Sequence, residues 1–465
     1  MPLHRYARSG TAPGDDQAPR RIVPPKWHCT RTPQAGTINP RFTLGVAIPS
    51  RQKLREFWKS LGPGIVTGAA DDDPSGIATY SIAGAQFGDA LLWTSLVTWP
   101  LMAAVQAMCA RIGMVTGRGL ASTFRSKFPR PLLAVAAGCL FVANTFNIGA
   151  DLAGMADAMQ LLTRASSHLW IIAFGAFITW ASIRLRYIAL ASVLKWLALF
   201  LLTYVAAAVY LRPDWKVVFS DFVTPSIPHS RGAWATVVAI LGTTISPYLF
   251  FWQASQEVEE EKAMGRHTIV ERRGATSTEI ANRKIDVGIG TFFSNLVMFF
   301  IILTTALTLH AHGAALPQTS RDVALALRPL AGRFASLLYT VGLVGTGLLA
   351  IPTLAGSAAY AFAETFGWRE GIDERFRGAR RFYVVMGISI LGGVAMDVAK
   401  VNVVKALFLS AILNGILAPF LLLGILLIAS DPRLMLGQPS SLLGRITVGV
   451  TTAAMFAAAV VMFVI

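Results

Sequence analysis

Three consecutive carboxylates interrupt the apolar stretch GAADDDPSGIATY, and they are Asp71, Asp72 and Asp73. On a continuous helix three adjacent side chains fan over about 200°, so at least one carboxylate would face lipid. A charged side chain in that position costs roughly 2.5–3.5 kcal/mol. The helix is therefore predicted to break at this point.

Pro74 and Gly76 supply the means of breaking the helix. Pro74 lacks an N–H and clashes with the carbonyl of Ala70, whereas Gly76 lets the backbone leave helical geometry. Non-helical backbone at membrane depth survives only where protein buries it or where it lines a wet cavity. Carboxylates beside a freed carbonyl are ligands that hard cations prefer, so the stretch predicts a cation site. The alternative is that the aspartates stand at a wet helix end, outside the membrane core.

A second stretch, ILGTTISPYLFFWQ, repeats this arrangement in the second half of the chain. Pro247 should free the carbonyl of Thr243 by the same geometry, and Ser246 adds a hydroxyl directly before the proline. The two breaks fall in the first and sixth apolar segments, which indicates two five-helix repeats. This pattern is typical of inverted-repeat transporters, whose binding site lies near the membrane midplane between the halves.

The segments that must position these residues are long and continuously apolar. Of the 465 residues, 54% are hydrophobic and only 14% are charged, and the mean hydropathy is +0.55. Continuous apolar runs of about 20 residues favour membrane-spanning helices over the alternating strands of an outer-membrane barrel. Eleven helices are predicted, at about 63–82, 89–113, 131–155, 168–183, 187–211, 234–256, 287–311, 333–356, 382–398, 402–429 and 445–465.

The net charge of +16 is explained by membrane orientation, not by a nucleic-acid partner. With the N-terminus inside, roughly 31 Lys and Arg fall on the cytoplasmic side and about 9 on the other. An odd number of helices then places the C-terminus outside. We expect an integral protein of the cell (inner) membrane that is surrounded by lipid, binds no nucleic acid and is compatible with a monomer.

The chain divides into a short tail and one large membrane domain. Residues 1–55 are rich in Pro, Arg, Gly and Thr and predict a disordered, basic cytoplasmic tail. Residues 56–465 form the transmembrane domain, with repeats at about 60–211 and 234–429. The three cysteines have no metal-binding or redox spacing and are expected to be packing residues: Cys29, Cys109 and Cys139.

Several motifs together resemble the NRAMP divalent-metal transporters over roughly residues 60–430. GPGIVTGAADDDPSGIATYSIAGAQFG is similar to that family's first helix, which carries GPG, DPGN and AGAQFG. ARIGMVTGRGLA resembles the end of its second helix, ADLAGMADAM its third helix, and GTTISPY the broken part of its sixth. The resemblance implies an all-α, LeuT-type fold with an inverted 5+5 repeat, an eleventh helix, and a metal site between helices one and six.

The departures from the family pattern concern the metal ligands. The family's metal-binding aspartate falls on Asp73, its asparagine on Gly76, its methionine on Ser246, and the alanine whose carbonyl meets the metal on Thr243. Oxygen ligands suit Mg²⁺, Ca²⁺ and Mn²⁺, whereas a thioether favours softer ions. We therefore expect a carrier of hard divalent cations, Mg²⁺ and also Mn²⁺, as in the NRAMP-related magnesium transporters; the alternative is an ordinary proton-coupled Mn²⁺/Fe²⁺ carrier. The candidate metal residues are Asp73, Asp72, Ala70, Gly76, Thr243 and Ser246.

The family's proton pathway is altered as well. Its third-helix acidic positions fall on Asn144, Asp151 and Gly154, and its sixth-helix histidine falls on Tyr248. Only Asp151 remains able to exchange protons near neutral pH, so weak or absent proton coupling is expected. Asp151 is either a proton carrier or a structural acid, and the sequence leaves both readings open.

Other polar residues in the helices have weaker interpretations. The family's tenth-helix glutamine becomes Ala411, and Asn414, which precedes Gly415, either compensates for it or makes a helix-packing hydrogen bond. The run EVEEEK, residues 257–262, is interpreted as a solvated charged end of the sixth helix; the alternative is that it gathers cations near the exit.

Functions of other classes are disfavoured. An intramembrane aspartyl protease would use Asp73 and Asp151 as a proton-sharing pair, but the GxGD motif of such enzymes is absent. Three aspartates at one break would also repel the carboxylate of an amino-acid cargo. We predict a transporter without enzymatic activity and without a resident cofactor.

Overall fold

The computed structural model describes residues 63–185, 199–313, 317, 319–372, 374–399 and 402–465. Within these ranges the chain is helical apart from short connections. The predicted tail at 1–55 and the first part of the fifth span, residues 187–198, lie outside the described residues.

The first half of the described chain contains the first broken span. Its helices are α1 (Pro63–Asp71), α2 (Pro74–Phe87), α3 (Trp93–Thr116), α4 (Leu120–Phe124), α5 (Arg130–Thr163), α6 (Ser167–Arg184), α7 (Thr203–Tyr210) and α8 (Trp215–Val223). Helices α1 and α2 occupy the first predicted span, and α3, α5 and α6 occupy the next three. A 3₁₀ turn (Leu199–Leu202) and α7 form the end of the fifth.

The second half contains the second broken span. Its helices are α9 (Arg231–Thr244), α10 (Pro247–Ala263), α11 (Ile269–Arg272), α12 (Ser277–Thr305), α13 (Ser320–Ala324), α14 (Arg328–Ala331), α15 (Ala335–Phe366), α16 (Arg380–Ala395), α17 (Val403–Ala429) and α18 (Leu442–Val464). Helices α9 and α10 together form the sixth span, and α12, α15, α16, α17 and α18 form spans seven to eleven.

Seven helical segments within the described ranges are long and apolar enough to cross a membrane. Large apolar side chains are exposed on their outer surface, for example Val135, Phe420 and Leu443. Water would disfavour such a surface, whereas lipid tails accept it. The prediction of a polytopic helical membrane protein is confirmed.

The four half-helices of the broken spans lie at the centre of the packing. Helix α1 packs against α10, α12 and α15, and α2 packs against α5, α9, α12 and α17. Helix α5 in turn contacts α15 and α17, so the third span lies beside the first break. The interior of the bundle therefore surrounds Asp71–Asp73 with helices.

Glycines set the closest approach of α1 to α12. A Cβ added to Gly68 would overlap the backbone of Gly290. Small residues at such crossings allow two backbones to touch, which is a common packing device in membrane helices. This close crossing holds α1 against the seventh span.

Two of the three cysteines lie within the described residues. Cys109 on α3 is buried, in agreement with a packing role. Cys139 on α5 is exposed on the outer surface, so the prediction that it packs inside the protein is wrong. A small thiol is tolerated on a lipid-facing surface because it behaves as a weakly polar hydrophobe.

Candidate functional site

The first break lies where the sequence predicts it. Helix α1 ends at Asp71 and α2 begins at Pro74, so Asp73 takes the N-cap position with extended backbone (φ −69°, ψ 168°). Its Oδ1 accepts hydrogen bonds from the Gly76 N–H at 2.8 Å and from the Ser75 hydroxyl at 2.6 Å. Aspartate is among the best N-cap residues, and proline fits the first turn because its missing N–H is not needed there. The same residues therefore break one helix and start the next.

The second carboxylate oxygen of Asp73 is contacted by a residue on the third span. The side-chain amide of Asn147, on α5, donates to Asp73 Oδ2 at 3.1 Å. Sequence reasoning did not single out Asn147. A usable signal was present, because Asn144, Asn147 and Asp151 are spaced by three and four residues and so share one stripe of a helix.

Asp71 and Asp72 share a single donor. The Ser294 hydroxyl, on α12, lies 2.7 Å from Asp71 Oδ2 and 3.1 Å from Asp72 Oδ1. A hydroxyl carries one proton, so it cannot fully satisfy both carboxylates. Asp71 Oδ1 has no hydrogen-bond partner among the residues that the structure describes. Ser294 was not anticipated from the sequence either.

The three aspartates form a buried centre of negative charge. All three are at most 5% exposed, and no ion pair in the described part of the chain involves them. Buried carboxylates are costly unless a cation or hydrogen-bond donors compensate them. The arrangement therefore attracts a positively charged guest, and its burial closes the site to solvent in this structure.

The second break also lies at its predicted place. Helix α9 ends at Thr244 and α10 begins at Pro247, with Ser246 at the N-cap in extended backbone. The Ser246 hydroxyl lies 2.8 Å from the carbonyl oxygen of Gly242 and 2.7 Å from that of Thr243. The single Ser246 hydroxyl proton is shared between these two carbonyls, of which Pro247 frees that of Thr243, and the hydroxyl oxygen keeps lone pairs for another partner.

The two breaks touch each other through two contacts. Tyr248, on α10, donates its hydroxyl to the carbonyl of Ala70 at 2.9 Å. A Cβ added to Gly76 would lie only 3.1 Å from Thr243 Oγ1, so the threonine occupies the space beside this glycine. Thr243 Oγ1 is buried and lies close to the Tyr80 hydroxyl. The centre between the breaks is therefore lined by carboxylate, hydroxyl and carbonyl oxygens.

The residues matched to the family's proton pathway lie in different surroundings. The Asp151 carboxyl is buried and lies close to the Ser75 backbone N–H and to the Asp73 carboxyl. Asn144 instead donates to the Leu354 carbonyl at 2.8 Å and to the Ser357 hydroxyl at 3.0 Å, both on α15. Asp151 therefore lies beside the first break, whereas the side-chain amide of Asn144 is bonded to α15.

The tenth-span candidates contribute mainly to packing. Gly415 lies against the Val238 carbonyl of α9, and a Cβ added to Gly415 would overlap that carbonyl. In the same way, a Cβ added to Gly242 of α9 would overlap the Ala411 carbonyl. Asn414 is buried on α17, and neither atom of its amide has a partner among the described residues. No hydrogen bond in the described chain links Asn414 to the breaks or to a neighbouring helix.

The acidic run at the end of α10 is not a solvated charged face, so that interpretation is wrong. Glu257 and Glu261 are buried, and Arg283 on α12 pairs with Glu257 at 2.8 Å, with Asp286 at 2.6 Å and with Glu260. Helical periodicity explains the difference, because the positions 257 and 261 fall on the inward face of α10.

The same cluster reaches α1. Asp286 Oδ2 accepts the backbone N–H of Gly64 at 2.8 Å. Thr67 donates to Gln253 Oε1 at 2.7 Å, and the Gln253 amide donates to Glu257 at 2.7 Å. These bonds tie α1 to α10 and α12 at the ends of the helices away from the break.

No group of three or more His, Cys, Asp or Glu side chains with the geometry of a metal site occurs among the described residues. A divalent ion at the breaks would therefore be held partly by neutral oxygens and by water. Such partial coordination suits a cargo that must bind and then leave, and it differs from a structural metal centre.

Known proteins are similar to this chain over most of its length. A family model described as natural resistance-associated macrophage protein-like, Nramp, matches residues 64–465. The divalent metal cation transporter MntH of Pectobacterium carotovorum subsp. carotovorum (strain PC1) is 29% identical over 321 residues, which are 66% of this chain and 73% of that protein. The protein of the same name in Yersinia pestis (strain Pestoides F) is 26% identical over 402 residues, or 83% and 90% of the two chains.

A solved structure shares the fold. The Eremococcus coleocola manganese transporter, in complex with an aromatic bis-isothiourea substituted compound, superposes with a TM-score of 0.70 at 18% sequence identity. The match covers 89% of this chain and 88% of that one. The predicted fold class, with the first and sixth helices broken, is confirmed.

Proposed function

Because the chain belongs to the Nramp family of divalent metal cation transporters, we propose that its cargo is a hard divalent cation, Mg²⁺ first and also Mn²⁺. The observation that carries this proposal is the set of side chains at the two breaks. Residues 70–76 and 243–247 contain no side-chain heteroatom other than oxygen. The proposed cation residues are Asp73, Asp72, Ala70, Gly76, Thr243 and Ser246, and the ion is cargo, not a cofactor.

The charge of the site supports a cation as cargo. Asp71, Asp72 and Asp73 are buried side by side, and none of the described salt bridges neutralises them. A divalent ion offsets two of these charges. An organic solute with a carboxylate would instead add a fourth negative charge to the same break.

The chemistry of the oxygens supports a hard ion. Ser246 presents a hydroxyl where the family has a thioether, and the Thr243 hydroxyl lies beside Gly76 of the other break. Mg²⁺ gives up its waters reluctantly and is bound by few protein oxygens plus retained water. Gly76 and Ser246 are shorter than the asparagine and methionine of the family pattern, and the Thr243 hydroxyl takes up the space beside Gly76, so a hydroxyl oxygen stands where the family has an amide.

Weak or absent proton coupling is the second part of the proposal. Tyr248 donates its hydroxyl to the Ala70 carbonyl, and Asn144 is bonded to α15, so neither replaces a titrating histidine or carboxylate. The ion gradient then drives uptake together with the membrane potential. For a divalent ion it is worth about 4.6 kcal/mol at 100 mV.

A proton-coupled Mn²⁺ carrier is the second candidate function. The observation that favours it is Asp151, whose carboxyl is buried close to the Asp73 carboxyl and the Ser75 backbone N–H. A single carboxyl in this position can still carry one proton per cycle. Measured proton movement separates this candidate from the first.

Proteoliposomes loaded with a pH dye test both parts of the proposal. Uptake of Mg²⁺, Mn²⁺ and Ca²⁺ is compared under a potassium-valinomycin potential, with internal pH recorded at the same time. We expect saturable Mg²⁺ uptake that follows the potential without internal acidification. Acidification in step with Mn²⁺ uptake, together with poor Mg²⁺ uptake, would establish the second candidate instead.

A matched pair of variants assigns the uptake to the break. Asp73→Asn is expected to abolish uptake, because it removes the carboxylate charge but keeps the shape of the N-cap. Asp157→Asn is the control, since Asp157 lies on α5 and accepts the Ser320 backbone N–H at 2.8 Å, outside the break. Equal uptake by the wild type and Asp73→Asn would contradict the proposed site.

A further inference from the structure

We propose that Asn147 is a direct ligand of the transported cation, an inference that rests on the proposed function. Asn147 is on the third span, α5, and is fully buried. Its contact with Asp73 Oδ2, at 3.1 Å, is the one hydrogen bond that the structure gives to this oxygen among the described residues. The side chain therefore stands beside the carboxylate oxygen that is left for a cation.

The other half of the Asn147 amide is unpaired. Its Oδ1 is buried and has no hydrogen-bond partner within the described part of the chain. Leaving a buried acceptor unsatisfied costs about 1–3 kcal/mol, so such an atom in a native protein calls for an explanation. A bound cation supplies the missing partner.

The amide can serve both the empty and the occupied site. Without an ion, its N–H group donates to the Asp73 carboxylate and stabilises the buried negative charge. When a cation binds Asp73 Oδ2, the partly positive N–H group of Asn147 would face the cation and repel it. Rotating the planar amide by half a turn exchanges the nitrogen and the oxygen at almost unchanged shape, which places Oδ1 against the ion.

The geometry also explains how the site tolerates Gly76. This glycine offers no side chain, and the adjacent space is filled by the Thr243 hydroxyl, which a Cβ at Gly76 would approach to 3.1 Å. An amide from the third span reaches Asp73 from another direction. A neutral amide oxygen is a hard ligand and fits the preference for Mg²⁺ and Mn²⁺.

Binding of MgCl₂ and of MnCl₂ to the purified full-length protein, measured by calorimetry at pH 8, tests the inference. Asn147→Ala is expected to raise the Kd for both ions at least tenfold. Asn144→Ala is the matched control, because Asn144 is a buried asparagine one turn away whose amide is bonded to α15. We expect its Kd to stay within about twofold of the wild type. Wild-type affinity in Asn147→Ala would overturn the inference.

Asn147→Asp distinguishes a ligand from a residue that only orients Asp73. An ionised carboxylate cannot donate to Asp73, so a purely orienting role predicts a loss at least as large as in Asn147→Ala. A ligand role predicts that binding is retained or tightened, because the new carboxylate is joined to Asp73 through the cation. Loss of binding in Asn147→Asp would overturn the ligand role, and this variant decides the matter if Asn147→Ala does not fold.

Asp73→Ala, measured in the same series, separates this inference from the proposed function. If Asp73→Ala loses binding while Asn147→Ala keeps it, only the role of Asn147 fails. If Asp73→Ala binds both ions like the wild type, the proposed site itself fails.

Discussion

Asp73 divides its two carboxylate oxygens between structure and chemistry. Oδ1 caps α2 through the Gly76 N–H and the Ser75 hydroxyl, and Oδ2 faces Asn147 on the third span. One oxygen thus stabilises the break and the other is left for a guest. Removing the carboxylate would damage both, which is why the isosteric Asp73→Asn is the informative variant.

Ser246 is the residue at which we expect ion preference to be set. Its hydroxyl lies at the N-cap of α10 and offers only a hard oxygen. Ser246→Met should shift the order of uptake rates towards Mn²⁺ and Cd²⁺, because a thioether prefers softer ions. Competition of Cd²⁺ against Mg²⁺ uptake in proteoliposomes measures this shift.

A second buried serine provides the control for Ser246→Met. Ser410, on α17, also donates its hydroxyl to a backbone carbonyl, that of Leu407, at 2.7 Å. Ser410→Met adds the same sulfur and the same bulk outside the breaks. It should leave the ion order unchanged, and an unchanged order in Ser246→Met would show that Ser246 does not line the site.

Helix α1 depends on a glycine crossing. Gly68→Ala must push α1 away from the backbone of Gly290 on α12, and overpacking of this kind costs about 1–3 kcal/mol. We expect a lower unfolding temperature and reduced uptake. Gly288→Ala, on the same helix α12 but with nothing near its added Cβ, is the control and should be neutral or slightly stabilising. Equal melting of the two variants would contradict the importance of the crossing.

Helix α1 is also held at its other end by the ion cluster around Arg283. Arg283→Ala leaves Glu257 buried without its cation, and breaking such a pair costs about 3–5 kcal/mol. Because Asp286 also holds the Gly64 N–H, we expect α1 to open more often. Hydrogen exchange should then accelerate in residues 63–71 more than in α5.

The exposed pair of Arg369 and Glu374 gives the matched control for Arg283→Ala. Arg369→Ala breaks an ion pair whose arginine side chain is 67% exposed, and exposed pairs contribute little to stability. Its exchange pattern should match the wild type. If Arg283→Ala gave that same pattern, the cluster would not restrain α1.

At the scale of the whole molecule, the basic residues are expected to orient the bundle in the membrane. Roughly 31 Lys and Arg on one side against about 9 on the other predict that the N-terminus is inside and the C-terminus outside. A fluorescent protein fused to the N-terminus should fold in the cytoplasm of a bacterial host. Alkaline phosphatase fused to the C-terminus should be active, and an inactive C-terminal fusion would show that the helix count or the orientation is wrong.

The local breaks could be predicted from the sequence because their causes are local. Proline lacks a backbone N–H at any position, so Pro74 and Pro247 indicated the two interruptions. Three adjacent carboxylates would place at least one charge towards lipid on a continuous helix, so Asp73 and its neighbours indicated the first of them. Continuous apolar length likewise gave the spans and, with the family motifs, the fold class. The breaks and the spans follow from residue type and from spacing within a single span of about 20 residues.

Contacts between spans were decided only by the tertiary structure. Asn147 meets Asp73 from 74 residues away and Ser294 meets Asp72 from 222 residues away, and no local rule connects such partners. The buried state of Glu257 depends in the same way on Arg283 of the next span. The sequence sets which side chains each helix face presents. Which faces meet depends on the packing of all the helices together, so these contacts exist only in the folded bundle.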